Sequence, residues 1–457
     1  MGITLLKALR LSKIPRIAFV GAGGKTSALS ILSQQLPKPL VVSTTTHLGT
    51  WQTGFADQHF ILSDEPDWEI IEDNFSTGIT LITQNPVRDR LQGLSIDQIN
   101  RLYQICEDRQ FPLLLECDGS RQLPLKAPGK NEPPIPQFVD TVVVVAGLTG
   151  LGKSLDEDTV YKPEIFSRLG NLPIGHTISL GTLGQVIVHQ QGGLKNIPNN
   201  AKRILLLNQA DQPRLQIQAG KLAKIVQSNF NSIIVAELSR NIVHTVFEPS
   251  AAIILAAGSS SRYGQTKQLL DYHGEPFIKA VTLSAINAGL NPIIVVTGAD
   301  ANAVNNALMD ISSQINIIFN SNWQNGQSTS ILAGIEALES NHNHQSLGGE
   351  LAYLQENPGS VIFLLADQPQ VTPMILKCLV QEHSRTLSPV IAPLIDGRRG
   401  NPVLFDKVTF PDLRNLEGDV GGRGIFSKHS PIYVKWNDIS LLADVDNPAD
   451  YERVFHD

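Results

Sequence analysis

A loop rich in glycine and serine, with two basic side chains, follows an apolar run in the second half of the chain. The stretch ILAAGSSSRYGQTKQLL, residues 254–270, contains Gly258, Gly264, Arg262 and Lys267. Glycine lets the backbone approach an anion closely, exposed N–H groups donate to phosphate oxygens, and arginine and lysine supply positive charge. An ordinary Ser/Gly turn with two solvated cations is the simpler alternative. Because these features share one window after a strand, we expect a triphosphate site here.

Acidic residues follow later apolar runs. Asp367 comes directly after FLLA, and LLADVDNPADY near the end of the chain contains Asp444, Asp446 and Asp450. Mg²⁺ is typically held by one or two carboxylates together with phosphate oxygens and water, so Asp367 and one late aspartate predict a magnesium site. The alternative for Asp367 is a turn or cap residue ahead of Pro369. For Asp444 and Asp450 the cap and turn interpretations are favoured.

A second glycine-rich loop lies near the amino terminus, in RIAFVGAGGKTSALSIL, residues 16–32. The long P-loop pattern GxxxxGK[ST] would need glycine at the place of Phe19, and the remaining GAGGKTS resembles the shorter loop of Mur-type ligases. Lys25 would then reach the β- and γ-phosphates, Thr26 would contact Mg²⁺, and backbone amides would cradle phosphate oxygens. A glycine-rich turn with a solvated lysine is the alternative. The residues of this predicted site are Gly21, Gly23, Gly24, Lys25, Thr26 and Ser27.

Polar residues also follow the next apolar runs of the first half. Glu116 and Asp118 come after LLL, where a second Mg²⁺ contact or a water-orienting carboxylate is expected, and we assign Asp118 as a metal contact. His47 follows VVSTTT and is a metal or phosphate contact or, more commonly for such a residue, a surface histidine. LLLNQAD resembles the NKxD base-reading motif of GTPases, which makes Asn208 and Asp211 candidates for nucleotide binding. An Asx-turn is equally plausible, so the choice between ATP and GTP stays open.

Short apolar runs separated by helix-length segments recur in two series along the chain. The first series extends from RIAFVG to SIIVAEL, and the second from AAIILAAG to PVIAPLIDG. Continuous apolar strands that alternate with helices are typical of parallel sheets buried on both faces. Because each series begins with a strand that leads into a glycine-rich turn, we predict two doubly wound, Rossmann-like α/β domains, residues 1–247 and 250–457. The ligand of such a sheet lies beyond the carboxyl ends of its strands.

Composition narrows the class of protein. The chain has 457 residues, of which 42% are hydrophobic and 17% charged, and its net charge of -7 argues against a nucleic-acid partner. No apolar run approaches the roughly 18 residues that a bilayer requires, and the first residues do not read as a signal peptide, so we expect a cytoplasmic protein without a membrane partner. Cys106, Cys117 and Cys378 lie far apart, which suits a reducing compartment and indicates no cysteine metal site.

Six ordered motifs in the second half resemble the molybdenum cofactor cytidylyltransferase family, within the wider nucleotidyltransferase group. They are LAAGSSSRYGQTKQLL, NSNWQNGQSTSILAG, LLADQP, GRRGNPVLF, LEGDVGGRGIF and DVDNPADY. The related guanylyltransferases usually read LAGG at the start, so Ala257 points toward CTP rather than GTP. The resemblance implies a nucleotide-diphospho-sugar-transferase-like fold. The nucleotide-binding residues that it implies are Leu255, Ala256, Ala257, Gly258, Gly264, Lys267, Gly326, Ser328 and Ser330.

The same resemblance implies a reaction and its residues. CMP would pass from CTP to the terminal phosphate of molybdopterin, with release of pyrophosphate. A phosphate monoester has a second pKa of about 6 and needs no general base at neutral pH, so catalysis would be positioning and charge neutralisation. Asn401 stands where a histidine is common in the family, and Phe277 where an aliphatic residue is usual. The implied catalytic residues are Arg262, Lys267 and Asp367, the metal ligands Asp367 and Asp446, and the acceptor-side residues Arg399, Gly400 and Asn401.

The first half resembles the YqeC-like family, whose members are named as accessory proteins of selenium-dependent molybdenum hydroxylases. The motifs are GAGGKTS, TTTH, ECDGSR, LKAP, NEPPIP, AGLTGLGKSL and NQAD. The resemblance implies a P-loop-like domain that binds and hydrolyses ATP or GTP, with a role in maturation. It makes a client molybdenum hydroxylase a candidate partner beside molybdopterin. Members more often have alanine at the place of Cys117, so we expect this thiol to be a buried small residue.

Two alternatives stay open. One is a nucleotidyltransferase that uses GTP or another phosphorylated acceptor. The other is a nucleotide-gated maturation chaperone without transferase activity.

Overall fold

In a computed structural model the chain divides into two compact units, Met1–Phe247 and Glu248–Asp457. The structure describes residues 2–63, 66–75, 77–259, 266–340, 358–443 and 450–451. Three residues with predicted site roles, Arg262, Gly264 and Asp446, lie outside these ranges. Within them, no helix is long and apolar enough to cross a membrane.

Strands and helices alternate along the first unit. Its strands are β1 (Arg16–Gly21), β2 (Leu40–Thr44), β3 (Leu48–Gly49), β4 (Gln58–Leu62), β5 (Ile79–Gln84), β6 (Pro86–Val87), β7 (Arg90–Leu91), β8 (Leu113–Glu116), β9 (Leu125–Lys126), β10 (Thr141–Gly147), β11 (Val160–Tyr161), β12 (Lys202–Asn208), β13 (Ser232–Glu237) and β14 (Ile242–Phe247). Its helices are α1 (Leu5–Leu9), α2 (Lys25–Gln35), α3 (Trp68–Asp73), α4 (Ile96–Asp108), α5 (Pro163–Gly170), α6 (Leu180–Val188) and α7 (Pro213–Val226).

The main sheet of this unit has the order β14-β13-β12-β10-β1-β8-β2-β5-β4. Its strands pair in parallel except β14, which is antiparallel to β13. Ile17, Ala18, Phe19 and Val20 of β1 are all buried, although successive side chains point to opposite faces of a sheet. Both faces are therefore covered, which is why these strands are continuously apolar. The loops after β1, β2, β8 and β12 leave from the same edge of the sheet and meet there.

The second unit has the same alternation. Its strands are β15 (Ser250–Ala256), β16 (Asp271–Tyr272), β17 (Glu275–Pro276), β18 (Ile293–Thr297), β19 (Asn316–Phe319), β20 (Ser360–Leu365), β21 (Val390–Ile395), β22 (Arg398–Arg399), β23 (Val403–Asp406) and β24 (Ile432–Lys435). Its helices are α8 (Phe277–Ala288), α9 (Ala301–Ala307), α10 (Gln327–Ser340), α11 (Pro373–Thr386) and α12 (Phe410–Arg414).

The main sheet of the second unit is mixed. Its order is β19-β18-β15-β20-β23-β21-β22, with β24 beside β21. Strand β15 pairs in parallel with β18 and β20, whereas β23 is antiparallel to β20. Ile253 belongs to a core cluster on one face of the sheet with Ile331 of α10, and Ile254 to a cluster on the other face with Val281 of α8. The loop after β15 thus leaves between two parallel neighbours, where open α/β sheets bind their ligands.

Candidate nucleotide sites

The loop after β1 has a backbone that only glycine accommodates. Gly21, Gly23 and Gly24 have φ angles of 97°, 82° and 131°. A Cβ at Gly21 would overlap the carbonyl oxygen of Val145, and one at Gly24 would overlap the amide nitrogen of the Asn208 side chain. The loop therefore packs directly against the chain on either side of it, and helix α2 begins at once behind it.

The Lys25 ammonium lies folded back against this loop. Its Nζ donates to the carbonyl oxygen of Gly21 at 2.7 Å and lies 3.3 Å from Asp118 Oδ1 and 3.9 Å from Glu116 Oε1. The residue is 4% exposed. The ammonium group therefore lies at the floor of the loop, between the Gly21 carbonyl and the carboxylates of Asp118 and Glu116.

Two carboxylates after β8 hold different parts of the loop. Asp118 accepts the backbone N–H of Gly21 at 3.0 Å and pairs with the Lys126 ammonium at 2.8 Å. Glu116 Oε2 accepts the Thr26 hydroxyl at 2.7 Å, and burial raises the pKa of Glu116, an effect that Lys25 and the Thr26 hydroxyl partly oppose. The Thr26 hydroxyl with Glu116 is therefore the pair of oxygen donors best placed to share a hard cation, and Asp118 is committed to two ammonium groups.

The sequence predicts Asn208 and Asp211 as base contacts, and the structure places them differently. Asn208 is 5% exposed; its Nδ2 donates to the carbonyl oxygen of Gly23 at 2.7 Å, and its Oδ1 accepts the N–H of Leu238 at 3.0 Å. Its side chain thus fixes the glycine-rich loop. Asp211 is exposed and is not among the described residues that line the adjoining cavity.

A cavity of about 700 Å³ opens above this loop. Loops after β1, β2, β8 and β12 all contribute to its walls, which bring the predicted residues Gly23, Gly24, Lys25, Thr26, Ser27 and Asn208 together. The sequence analysis does not predict the side chains on its far wall. Those side chains include Trp51, Gln52, Phe55 and Arg90.

The corresponding cavity of the second unit, of about 830 Å³, lies where β15 and β20 end. Lys267 and Asp367, which arrive from different loops, both line it, so the structure brings together the basic and acidic residues that the sequence singles out. The other predicted residues in its walls are Leu255, Ala257, Gly258, Gly326 and Ser330. Ala256 and Ser328 are buried and, among the described residues, lie behind the lining.

Amide and glycine contacts position this second loop. Gln268 is buried, and its Nε2 donates to the carbonyl oxygen of Gly258 at 3.0 Å, as Asn208 does to Gly23 in the first unit. Gly326 has a φ of 107°, and a Cβ there would overlap the backbone of Gly418. This contact brings the segment that contains Asp419 to the cavity wall.

A neighbouring cavity of about 320 Å³ carries the predicted acceptor side. Arg399 and Asn401 line it, together with Arg423 and with Asp419, which also lines the larger cavity. The Arg399 guanidinium lies 5.0 Å from the centre of the Phe426 ring. Gly400 is buried beside Ile395 and contributes no lining among the described residues. Asp419 and Arg423 received no role from the sequence, although both belong to the LEGDVGGRGIF motif.

The fold is that of an α/β protein, and comparisons with family models identify a nucleotidyltransferase domain in its second unit. Residues 252–432 match the family model described as MobA-like NTP transferase domain, and residues 17–164 match the model described as YqeC protein. The chain therefore belongs to the YqeC family through its first unit and carries a MobA-like NTP transferase domain in its second.

Individual relatives fall into both groups. "Uncharacterized protein YqeC" of Escherichia coli (strain K12) is 30% identical over 220 residues, which are 47% of this chain and 83% of that protein. "Molybdenum cofactor cytidylyltransferase" of the same organism is 25% identical over 205 residues, 44% of this chain and 92% of that protein. "Nicotine blue oxidoreductase" of Paenarthrobacter nicotinovorans is 27% identical over 195 residues, 41% of this chain and 86% of that protein.

Proposed function

We propose that the second unit transfers CMP from CTP to the terminal phosphate of molybdopterin and releases pyrophosphate. The observation that supports this proposal is the adjacency of two cavities at the carboxyl ends of β15 and β20. The larger is lined by the loop after β15, Lys267 and Asp367, and the smaller by Arg399, Asn401 and Arg423. They share Leu255, Gln327, Leu365 and Asp419, so a donor nucleotide in one would face an anionic acceptor in the other.

The residues of the larger cavity have the chemistry for this transfer. Lys267 would neutralise the triphosphate, and the half-buried Asp367 offers the hard oxygen donors that Mg²⁺ prefers, with Asp446 as the proposed second carboxylate. Mg²⁺ would supply charge neutralisation at the phosphates. Arg262 is the proposed further cation of the loop. Since the acceptor phosphate is largely dianionic at neutral pH, the side chains need only hold the two reactants in line.

We propose that the first unit binds and hydrolyses ATP or GTP. Backbone N–H groups of the loop from Gly21 to Lys25 and the start of α2 would receive the phosphates. Thr26 and Glu116 would hold Mg²⁺, whereas Asp118, the metal contact that the sequence suggests, would stay paired with Lys25 and Lys126. The two units would then serve one process in the cytoplasm, the maturation of a molybdenum hydroxylase, and the resemblance to the YqeC-like family extends this proposal to selenium-dependent enzymes.

The test uses the purified full-length protein with molybdopterin, Mg²⁺ and CTP, GTP or ATP in separate reactions, with pyrophosphate release as the measurement. Release with CTP supports the proposal. Release with GTP alone would favour the guanylyl alternative, and no release with any nucleotide would favour the chaperone. Lys267→Ala should abolish the CTP reaction. Lys279→Ala is the matched control, because this lysine pairs with Glu275 and Asp310 and does not line either cavity within the described chain.

A further inference from the structure

The cavity of the first unit has two chemically different sides. One side, which we term the amide side, consists of Gln209 and Ser239, next to Asn208, whose side chain holds the glycine-rich loop; the other, the aromatic side, consists of His47, Trp51, Phe55 and Arg90. The amide side follows β12 and β13. On the aromatic side His47, Trp51 and Phe55 follow β2, and Arg90 belongs to β7, which pairs with β3, so the two sides flank the loop after β1. In the sheet, β12 and β2 are separated by β10, β1 and β8, so at about 4.8 Å per strand the two strands lie about 19 Å apart.

Trp51 presents an exposed ring on the aromatic side. Its side chain is 54% exposed, although one edge of the indole rests on the backbone of Gly49, where a Cβ would lie 2.7 Å from a ring carbon. The guanidinium of Arg90 lies 6.0 Å from the ring centre. The ring is thus half exposed and has a cation over it, and such a pair can stack a flat ring and attract an anionic substituent.

The aromatic side is fixed relative to the glycine-rich loop. Gln52 Oε1 accepts the N–H of Gly49 at 2.9 Å, and Gln52 Nε2 donates to the Thr26 hydroxyl at 3.0 Å. The turn that carries Trp51 is therefore hydrogen-bonded to the first turn of α2. A ligand stacked on Trp51 would lie next to the residues that would receive a terminal phosphate and its metal.

We propose that the aromatic side binds a second ligand, a flat heteroaromatic anion, beside the nucleotide. This inference rests on the nucleotide assignment made for the first unit above. A nucleotide whose base lies at the amide side extends its phosphates along the loop toward Thr26 and Glu116, and the aromatic side lies beyond its last phosphate. The first unit would thus act on a bound molecule, and its hydrolysis would be coupled to that molecule.

The test measures binding of pterin-6-carboxylate, a flat fluorescent anion, to the full-length protein by fluorescence anisotropy. Trp51→Ala should weaken binding by about tenfold, within the range for stacking of one ring on an aromatic side chain. Trp51→Phe should retain most of the affinity, and Arg90→Gln should weaken it severalfold. Arg101→Gln is the matched control, since this exposed arginine pairs with Glu72 and does not line the cavity within the described chain.

Three results would overturn the inference. The first is unchanged binding of the probe by Trp51→Ala, provided that the circular dichroism spectrum of this variant is like that of the parent. The second is that Trp51→Ala weakens the binding of a non-hydrolysable nucleotide as much as the binding of the probe, which would place the base on Trp51. The third is loss of all probe binding in the double variant Arg399→Ala and Arg423→Ala, which would assign the probe to the second unit. If the parent protein binds no nucleotide, loss of probe binding in Trp51→Ala still supports a ligand on the aromatic side, so failure of the nucleotide assignment is scored separately.

Discussion

Asn208 offers a quantitative test of whether this residue holds the glycine-rich loop or reads a base. Asn208→Ala removes the donor to the Gly23 carbonyl and the acceptor of the Leu238 N–H, both in a buried setting. A buried backbone group left without a partner costs about 1–3 kcal/mol, and a carbonyl generally costs less than an N–H, so the free energy of unfolding of the first unit should fall by about 2–4 kcal/mol. At about 1.4 kcal/mol per factor of ten, this loss predicts hydrogen exchange in the core strands that is about 30-fold to 700-fold faster.

The assay is hydrogen–deuterium exchange by mass spectrometry on the full-length protein. Peptides from β10 and β12 should show the acceleration, and peptides from β15 and β20 of the second unit provide an internal control. Asn208→Asp keeps the acceptor for Leu238 but places a buried carboxylate oxygen against the Gly23 carbonyl oxygen, so it should be at least as destabilising as Asn208→Ala. Asn231→Ala is the matched control, because this buried asparagine supports a single backbone N–H, that of Arg203, at 2.7 Å.

The reasoning would be refuted if Asn208→Ala were no more destabilising than Asn231→Ala. A change in the preference for ATP over GTP at unchanged stability would instead make Asn208 a base-reading residue.

Three further changes separate the sites. Lys25→Ala should abolish nucleotide hydrolysis and spare cytidylyl transfer, measured as phosphate and pyrophosphate release on one preparation; parallel loss of both activities would contradict independent sites. Asp367→Asn should lower CTP-dependent pyrophosphate release by about a hundredfold, and a rate within tenfold of the parent would remove Asp367 from the proposed metal site. Burial raises the pKa of Glu116 in the folded state above its ordinary value of 4.5, so the folded unit binds this proton more tightly than the unfolded chain does. The resulting contribution to the free energy of unfolding is fully present below pH 4.5 and is lost as the pH rises through the folded-state pKa. Glu116→Gln should remove this pH dependence of the free energy of unfolding, measured by urea unfolding over a pH series. If the free energy of unfolding of the variant changes with pH as that of the parent does, the dependence belongs to another group.

The strands that the sequence predicts are present because burial on both faces leaves a strong signal. β10, for example, is buried at every residue from Thr141 to Gly147 and reads as an unbroken apolar run. The interior strand β5 and the edge strands β4 and β14 were not predicted. β5, ITLITQ, is buried from Ile79 to Thr83, but its threonines break the apolar run. In β4 the exposed fraction alternates, so its sequence QHFIL resembles a loop with a few apolar residues. β14 turns back antiparallel, and its two buried residues, Val243 and Val246, do not mark a strand without knowledge of its neighbour.

The phosphate loops could be predicted because glycine and lysine cluster within a few residues. The side chains that support these loops could not. Asn208 contacts Gly23 across 185 residues of sequence, and an asparagine at the end of a strand is equally compatible with a turn. Trp51 and Gln52 follow β2 in a segment without periodicity, and only the fold shows that they reach α2.

The buried thiols of the first unit make cysteine alkylation a measure of the unfolding of that unit. Cys106 and Cys117 are fully buried, and burial raises the pKa of each thiol to about 12, so neither forms the thiolate that alkylating reagents attack at neutral pH. Their modification would therefore time the unfolding of the first unit. Cys378 on α11 is partly exposed, so its modification does not require unfolding and gives the rate for an accessible thiol in the same reaction.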